Sequence, residues 1–264
     1  MKFRLLLSLS FLATTILAQT VTLKQLGKSN NYISINTAFT AHFGGALYSL
    51  DRSGSISKTD LLTGEYTTVG KATFSNCKLF FAVNRKLFVI DNDGSMTQID
   101  PASGAWSSVS NMSYWTLVTN VIVVSNTMFA IENGVMYRYF GFNNATRRQV
   151  GDADFYSPGL LITDDSTMYS ISDDKSFYEI NTSTGKWTKV GKSKTWKSSW
   201  SGAVLHSKLY TVENPGILFE SPIADGVKKQ LDDTQFKKGR FLFTDSQKIY
   251  MITSDGNLFE ISIN

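Results

Sequence analysis

Aromatic rings recur in this chain at a fixed place. Phe74, Tyr114 with Trp115, Phe155 with Tyr156, Trp196 and Phe236 each follow an aliphatic marker by five or six residues; the markers are Val69, Val109, Val150, Val190 and Leu231. Tyr32 is the equivalent ring in the N-terminal segment, and Trp200 is an additional one close to Trp196. Cations lie among them: Lys192, Lys194 and Lys197 in one stretch, Lys237, Lys238 and Arg240 in another. Aromatic faces beside polar groups suit stacking on the C–H face of a sugar or the edge of a peptide. A cluster of cations would draw an anionic ligand, such as a sulfated or uronate-bearing glycan. The competing reading is structural: a ring at a repeat position plugs the wedge between neighbouring units, and loop lysines stay solvated. The candidate ligand-binding residues are therefore Tyr32, Phe74, Tyr114, Trp115, Phe155, Tyr156, Lys194, Trp196, Trp200, Phe236 and Lys238.

Other chemistries find less support. The two histidines, His42 and His206, are far apart in sequence and show no zinc-ligand spacing. No Gly-x-Ser-x-Gly elbow is present. Asp91-Asn92-Asp93-Gly94 is like the opening of a calcium loop, but no carboxylate follows at a matching distance, and Asp before Gly is ordinary turn chemistry. No catalytic residue, metal or cofactor is assigned.

The elements that position these loops announce themselves by repetition. Leu47-Tyr48, Leu87-Phe88, Met128-Phe129, Met168-Tyr169, Leu209-Tyr210 and Ile249-Tyr250 recur every 40 or 41 residues, six times. A repeat of that length made only of short strand-like runs predicts a β-propeller with one four-stranded blade per repeat. In the second repeat Lys78–Val83 reads as the innermost strand, Leu87–Ile90 as the second, Ser95–Asp100 as the third, and Trp106–Val109 as the start of the outer strand. The second strand is apolar at every position, as expected where neighbouring blades cover both faces. Outer strands open with Tyr66, Trp106 or Trp187, but with Arg147 and Lys228 in two repeats, whose outer edges are expected to be more open to solvent. No segment beyond the N-terminus shows the three-and-four spacing of a helix. The expected fold is all-β, a six-bladed propeller. Val21–Leu26 should supply the outer strand of the last blade and so close the ring.

The start of the chain reads as a targeting signal. Lys2 and Arg4 precede an apolar run from Leu5 to Leu17, and Ala18 would suit a signal peptidase. Residues 1–18 are expected to be a signal peptide and 19–264 a single propeller domain, secreted and extracellular, with no membrane span. The formal charge of +4 falls to +2 without Lys2 and Arg4, with 24 basic against 22 acidic side chains, which gives no support to nucleic-acid binding. Asn111, Asn144 and Asn181 head glycosylation sequons. Cys77 is the only cysteine, so an internal disulfide is impossible; it is either a buried thiol or an intermolecular bridge joining two copies.

The run from Leu87 through Ile99-Asp100-Pro101 to Trp106 and Val109 resembles the blade repeat of the broad propeller superfamily. The Trp-x-x-Val element, Trp106 to Val109 and Trp187 to Val190, is similar to the tectonin and tachylectin type of lectin repeat. From the N-terminal signal, the loop aromatics and the lack of catalytic motifs, the expected function is that of a secreted binding protein of lectin-like character, with a glycan as partner. The alternatives are an extracellular protein-interaction or structural propeller, and a metal-dependent hydrolase or lactonase at the channel mouth.

Overall fold

The computed structural model describes residues 20–264 apart from 33–34, 111–112, 143–145, 165, 233–234 and 246. The expected signal peptide and the sequons at Asn111 and Asn144 lie outside the described residues. Asn181 is described and sits exposed in a turn, its Oδ1 accepting from the Ser183 and Thr184 amides at 3.0 and 2.9 Å.

Six antiparallel sheets of four strands each form the molecule, with no helix among the described residues. The first blade is β2 (Ile35–Phe43), β3 (Ala46–Asp51), β4 (Ser55–Asp60) and β5 (Tyr66–Thr73). The second is β6 (Cys77–Val83), β7 (Lys86–Asp91), β8 (Met96–Ile99) and β9 (Trp106–Ser110). The third is β10 (Val118–Val124), β11 (Thr127–Glu132), β12 (Val135–Tyr139) and β13 (Arg147–Val150). The fourth is β14 (Leu160–Thr163), β15 (Met168–Ile171), β16 (Phe177–Ile180) and β17 (Trp187–Val190). The fifth is β18 (Ser199–Leu205), β19 (Lys208–Glu213), β20 (Ile217–Pro222) and β21 (Lys229–Asp232). The sixth is β22 (Gly239–Thr244), β23 (Ile249–Thr253), β24 (Leu258–Ile263) and, from the other end of the chain, β1 (Val21–Leu26).

The ring closes as the sequence requires. β1 pairs with β24 along its whole length, Leu23 opposite Ile261 and Gln25 opposite Phe259. Thr20 and Asn264 exchange two backbone hydrogen bonds of 3.0 Å. The innermost strands touch in succession from β2 to β22, and His42 of β2 meets Phe243 of β22 at 5.5 Å between ring centroids. The repeating dipeptides lie on the second strands and are buried in every blade, because each second strand has a neighbouring sheet on both faces.

A glycine contact holds four of the six junctions. Gly27, Gly151 and Gly191, each just past an outer strand, and Gly70, inside β5, pack on Gly64, Gly185, Gly226 and Gly104 respectively, in the third-to-outer turn of the next blade. A Cβ on Gly185 would lie 2.5 Å from the Gly151 Cα, so neither partner tolerates a side chain.

One expectation needs correction. Lys228 does not open the edge of the fifth blade, and Arg147, exposed as expected, is engaged with its own blade rather than left solvated. Arg147 pairs with Glu132, which also accepts from the Tyr139 hydroxyl, and its guanidinium lies 4.2 Å from the Tyr137 ring centroid. Lys228 Nζ reaches both Glu213 oxygens at 2.6 Å and lies 4.2 Å from the Phe219 centroid. Each cation pairs with a buried carboxylate that ends the second strand of its own blade. The more open position is an aromatic one, Trp106, at 59% exposure. Cys77 is a buried thiol. Burial, and then the nearby Asp91 carboxylate, push it up to about 12, so it is poorly placed to form a bridge between copies.

Candidate functional site

The loop rings divide into two groups. Tyr32, Trp115, Phe155, Trp196 and Phe236 are buried to 2% exposure or less. The backbone N–H of Tyr32, Phe74, Trp115, Phe155 and Trp196 donates to the carbonyl of Gly256, Gly54, Gly94, Gly134 and Lys175, at 2.8 to 3.1 Å. Those acceptors sit in the second-to-third-strand turn of the preceding blade. The side chain then reaches across to the next blade: Trp115 meets Tyr139 at 4.7 Å, Phe155 meets Trp187 at 5.1 Å, and Tyr32 meets Tyr66 edge-on at 6.0 Å. These rings are wedges between blades, and their faces are covered by protein. Phe74 is half-buried in the same role, packed on the core of the first two blades.

The open group is smaller: Tyr114, Tyr156, Trp200, Lys194 and Lys238 are exposed. Tyr156 is 74% exposed and lies over the Gly134 turn. Tyr114 stands edge-on to Trp115 at 5.2 Å. Lys238 is tied to Asp255 at 2.8 Å. The Lys194 backbone is anchored through its N–H to Ser176 Oγ at 3.1 Å, which leaves the ammonium outside.

Trp200 belongs to a pattern that reading the sequence had missed. In four inner strands the ladder slips by one residue at the same place. Cys77 opposes Asp91 while Leu79 opposes Ile90, so Lys78 is left over. Thr119, Trp200 and Arg240 are left over in the same way on β10, β18 and β22. All four lie nine residues before a second-strand marker. A bulge bends its strand and re-aims the extra side chain, and bulges are common beside active sites. Here they sit at the start of the strands that line the channel, on the face where the outer-to-inner loops emerge. Lys78 Nζ donates to the Thr116 carbonyl at 2.7 Å, and burial lowers its ammonium below the usual lysine range. Trp200 Nε1 donates to the Gly239 carbonyl at 3.0 Å, which fixes the indole beside Arg240 with 38% of its surface open. Lys197, Lys237 and Arg240 have no ion-pair partner among the described residues. The mouth over the fifth and sixth blades thus offers a fixed indole among cations that have no ion-pair partner among the described residues. The signal for it was a charged residue, Lys78 or Arg240, interrupting an otherwise apolar strand start.

Among the described residues no three His, Cys, Asp or Glu side chains are grouped to hold a metal ion. No helix among them is long and apolar enough to cross a membrane.

No protein-family model and no curated protein sequence matches the chain. Solved structures do. A protein of unknown function from Bacteroides thetaiotaomicron superposes with a TM-score of 0.62 at 13% identity, covering 93% of this chain and 76% of that one. A virginiamycin B lyase from Staphylococcus aureus, solved with quinupristin, gives 0.58 at 9% identity over 92% of this chain and 99% of its own. BamB from Moraxella catarrhalis gives 0.51 at 11% identity, with 84% of each chain covered. These neighbours differ in function, so what they share with this chain is its architecture, that of a β-propeller.

Proposed function

We propose that the protein is a secreted, non-catalytic binding propeller that holds an acidic carbohydrate at its channel mouth. The observation that carries the reading is the set of bulges that turns Lys78, Thr119, Trp200 and Arg240 out of their ladders. An indole held at one edge by a backbone carbonyl loses little freedom when a pyranose stacks on it. The ammonium and guanidinium groups beside it favour a uronate or a sulfate over a neutral sugar. The extracellular part of the reading rests on the basic-apolar N-terminus, Lys2 to Ala18, and on the Asn181 sequon.

The test is binding of polygalacturonate, heparin and neutral dextran to the full chain. Acidic polymers should bind and dextran should not, and binding should weaken as salt screens the cations. Trp200→Ala and Arg240→Ala should each lower affinity by about tenfold or more. Equal binding of dextran, or acidic-polymer binding indifferent to both substitutions, would refute the proposal.

A further inference from the structure

One station recurs around the channel mouth and changes character as it goes. The residue after each wedge ring is Ser75, Thr116, Tyr156, Lys197 or Lys237. Four of them pack on the glycine of the second-to-third-strand turn in the preceding blade: Ser75 on Gly54, Thr116 on Gly94, Tyr156 on Gly134 and Lys237 on Gly216. Serine, threonine and lysine all serve there, so the contact itself does not require a ring. Tyr156 brings one all the same. A Cβ on Gly134 would stand 2.5 Å from its Cγ and 2.6 Å from both Cδ atoms, so one side of the ring rests on the turn. The residue is 74% exposed, which leaves the other side open. A ring held from beneath and open above is a stacking platform for the C–H face of a sugar.

The neighbours of the platform select the sugar. The next two stations round the ring are Lys197 and Lys237, in the loops entering the fifth and sixth blades, and Trp200 and Arg240 stand on the inner strands of those blades. Between that cationic sector and Tyr156 begins the inner strand of the fourth blade. The position nine residues before the second-strand marker, which is Lys78, Thr119, Trp200 or Arg240 in the four bulged strands, is here Gly159. Gly159 is exposed with a φ of +64°, and a Cβ on it would stand 2.1 Å from the Ile171 carbonyl oxygen, so no side chain can rise there. A ligand can cross from Trp200 to Tyr156 over bare backbone. The charge changes sign on the way. Asp152 and Asp154, both exposed, precede Tyr156 in its own loop, and no lysine or arginine occurs in the sequence between Arg148 and Lys175. Two residues reach at most about 7 Å, so Asp154 acts on a ligand at Tyr156 from within a Debye length of about 8 Å. A carboxylate or sulfate is drawn to the lysine side of the mouth and repelled from the tyrosine side.

We infer that the mouth takes a saccharide chain in which acidic and neutral rings alternate, an acidic ring on Trp200 among Lys197, Lys237 and Arg240 and a neutral ring on Tyr156. This rests on the acidic-carbohydrate reading of the mouth and narrows it, because a chain charged on every ring meets repulsion at the second platform.

The test is calorimetric titration of the full chain with three hexasaccharides: hyaluronan and unsulfated chondroitin, in which uronate alternates with a neutral N-acetylhexosamine, and hexagalacturonate, charged on every ring. The better of the two alternating chains should bind about fivefold more tightly than hexagalacturonate, although it carries half the charge. Tyr156→Ala should lower that affinity by about fivefold, as for loss of one stacking contact, with a much smaller effect on hexagalacturonate. Asp152→Asn combined with Asp154→Asn should raise hexagalacturonate affinity towards that of the alternating chain, a gain that misfolding cannot produce. Trp200→Ala should weaken all three. The inference is overturned, with the acidic-carbohydrate reading intact, if hexagalacturonate binds as tightly as the better alternating chain, or if Trp200→Ala weakens binding while Tyr156→Ala and the double asparagine variant change nothing. If none of the three binds, the reading of the mouth falls and this inference falls with it.

Discussion

In the fifth blade a lysine stands where other blades carry Tyr66, Trp106 or Trp187, and a buried glutamate has come with it. Lys228 holds Glu213 through both carboxylate oxygens and also donates to the Thr195 carbonyl at 3.2 Å. Its side chain keeps only 17% of its surface open, against 7% for Glu213. Removing the ammonium alone strands that carboxylate, so Lys228→Ala should cost about 3–5 kcal/mol of unfolding free energy, measured by denaturant titration. The fourth blade has Ser172 and Trp187 at the same two positions. The double change Glu213→Ser with Lys228→Trp should therefore recover most of the loss, and a double variant no more stable than the single would refute the exchange. Asp91 is a residue with the opposite problem. Burial, and then the Asp93 charge, raise its carboxyl above the usual range, and its Oδ1 is buried without a partner. A raised carboxylate pKa means stability present at low pH and lost as pH rises through the folded-state value. Asp91→Asn should therefore raise the thermal midpoint at pH 7 relative to the parent chain, and the gain should vanish near pH 4. A gain that is equal at both pH values would exclude the ionisation account.

At the scale of the strand and its turns, two regularities were visible in the sequence and their connection was not. The glycine after Val69, Val150 and Val190 and the glycine of Ser103-Gly104, Thr184-Gly185 and Asp225-Gly226 can each be read as a turn residue. Only the structure brings them face to face across a blade junction, because that contact joins residues of different repeats. Gly151→Ala would place a Cβ 2.8 Å from the Gly185 Cα at a φ of +72°. It should destabilise by about 2–4 kcal/mol, from left-handed backbone strain and a clash with backbone that cannot move aside. Gly141, with open space around it and no positive φ, is the control: Gly141→Ala should stay within about 0.5 kcal/mol. Equal effects at the two sites in thermal unfolding would argue against the lock. The same divide explains how much of the candidate site was legible. Apolar second strands, turn chemistry and the closing strand follow from local pattern, and they were read to within a residue or two. Which loop ring is open depends on what the next blade places over it. Trp115 and Tyr156 look alike as extra loop aromatics, yet one is a wedge against Tyr139 and the other an exposed ring. The bulges escaped notice because a one-residue slip changes register without changing composition.

For the molecule as a whole, stability depends on the ring being shut. Each blade covers one face of each of its two neighbours, so an open ring exposes two apolar sheet faces and the unpaired edge of β24 at once. Closure uses six paired residues of β1 and the two hydrogen bonds between Thr20 and Asn264. Those bonds stand where other blades have a hairpin; in the third blade the Phe140 N–H donates to the Thr146 carbonyl at 3.0 Å across the corresponding connection. The break in the ring is thus equivalent to a cut hairpin, and its position should be interchangeable. A permuted chain that joins Asn264 to Thr20 through a short Asn-Gly turn and begins at Asn144 would make the third blade the composite one. The third blade suits this because its outer connection takes no part in a glycine contact among the described residues. Such a chain should unfold in one cooperative transition within a few degrees of the parent midpoint. Deleting residues 20–27 should instead abolish cooperative unfolding and expose apolar surface to a dye such as ANS. If the deletion melts like the parent chain, β1 is an ornament and ring closure is not what holds the six blades together.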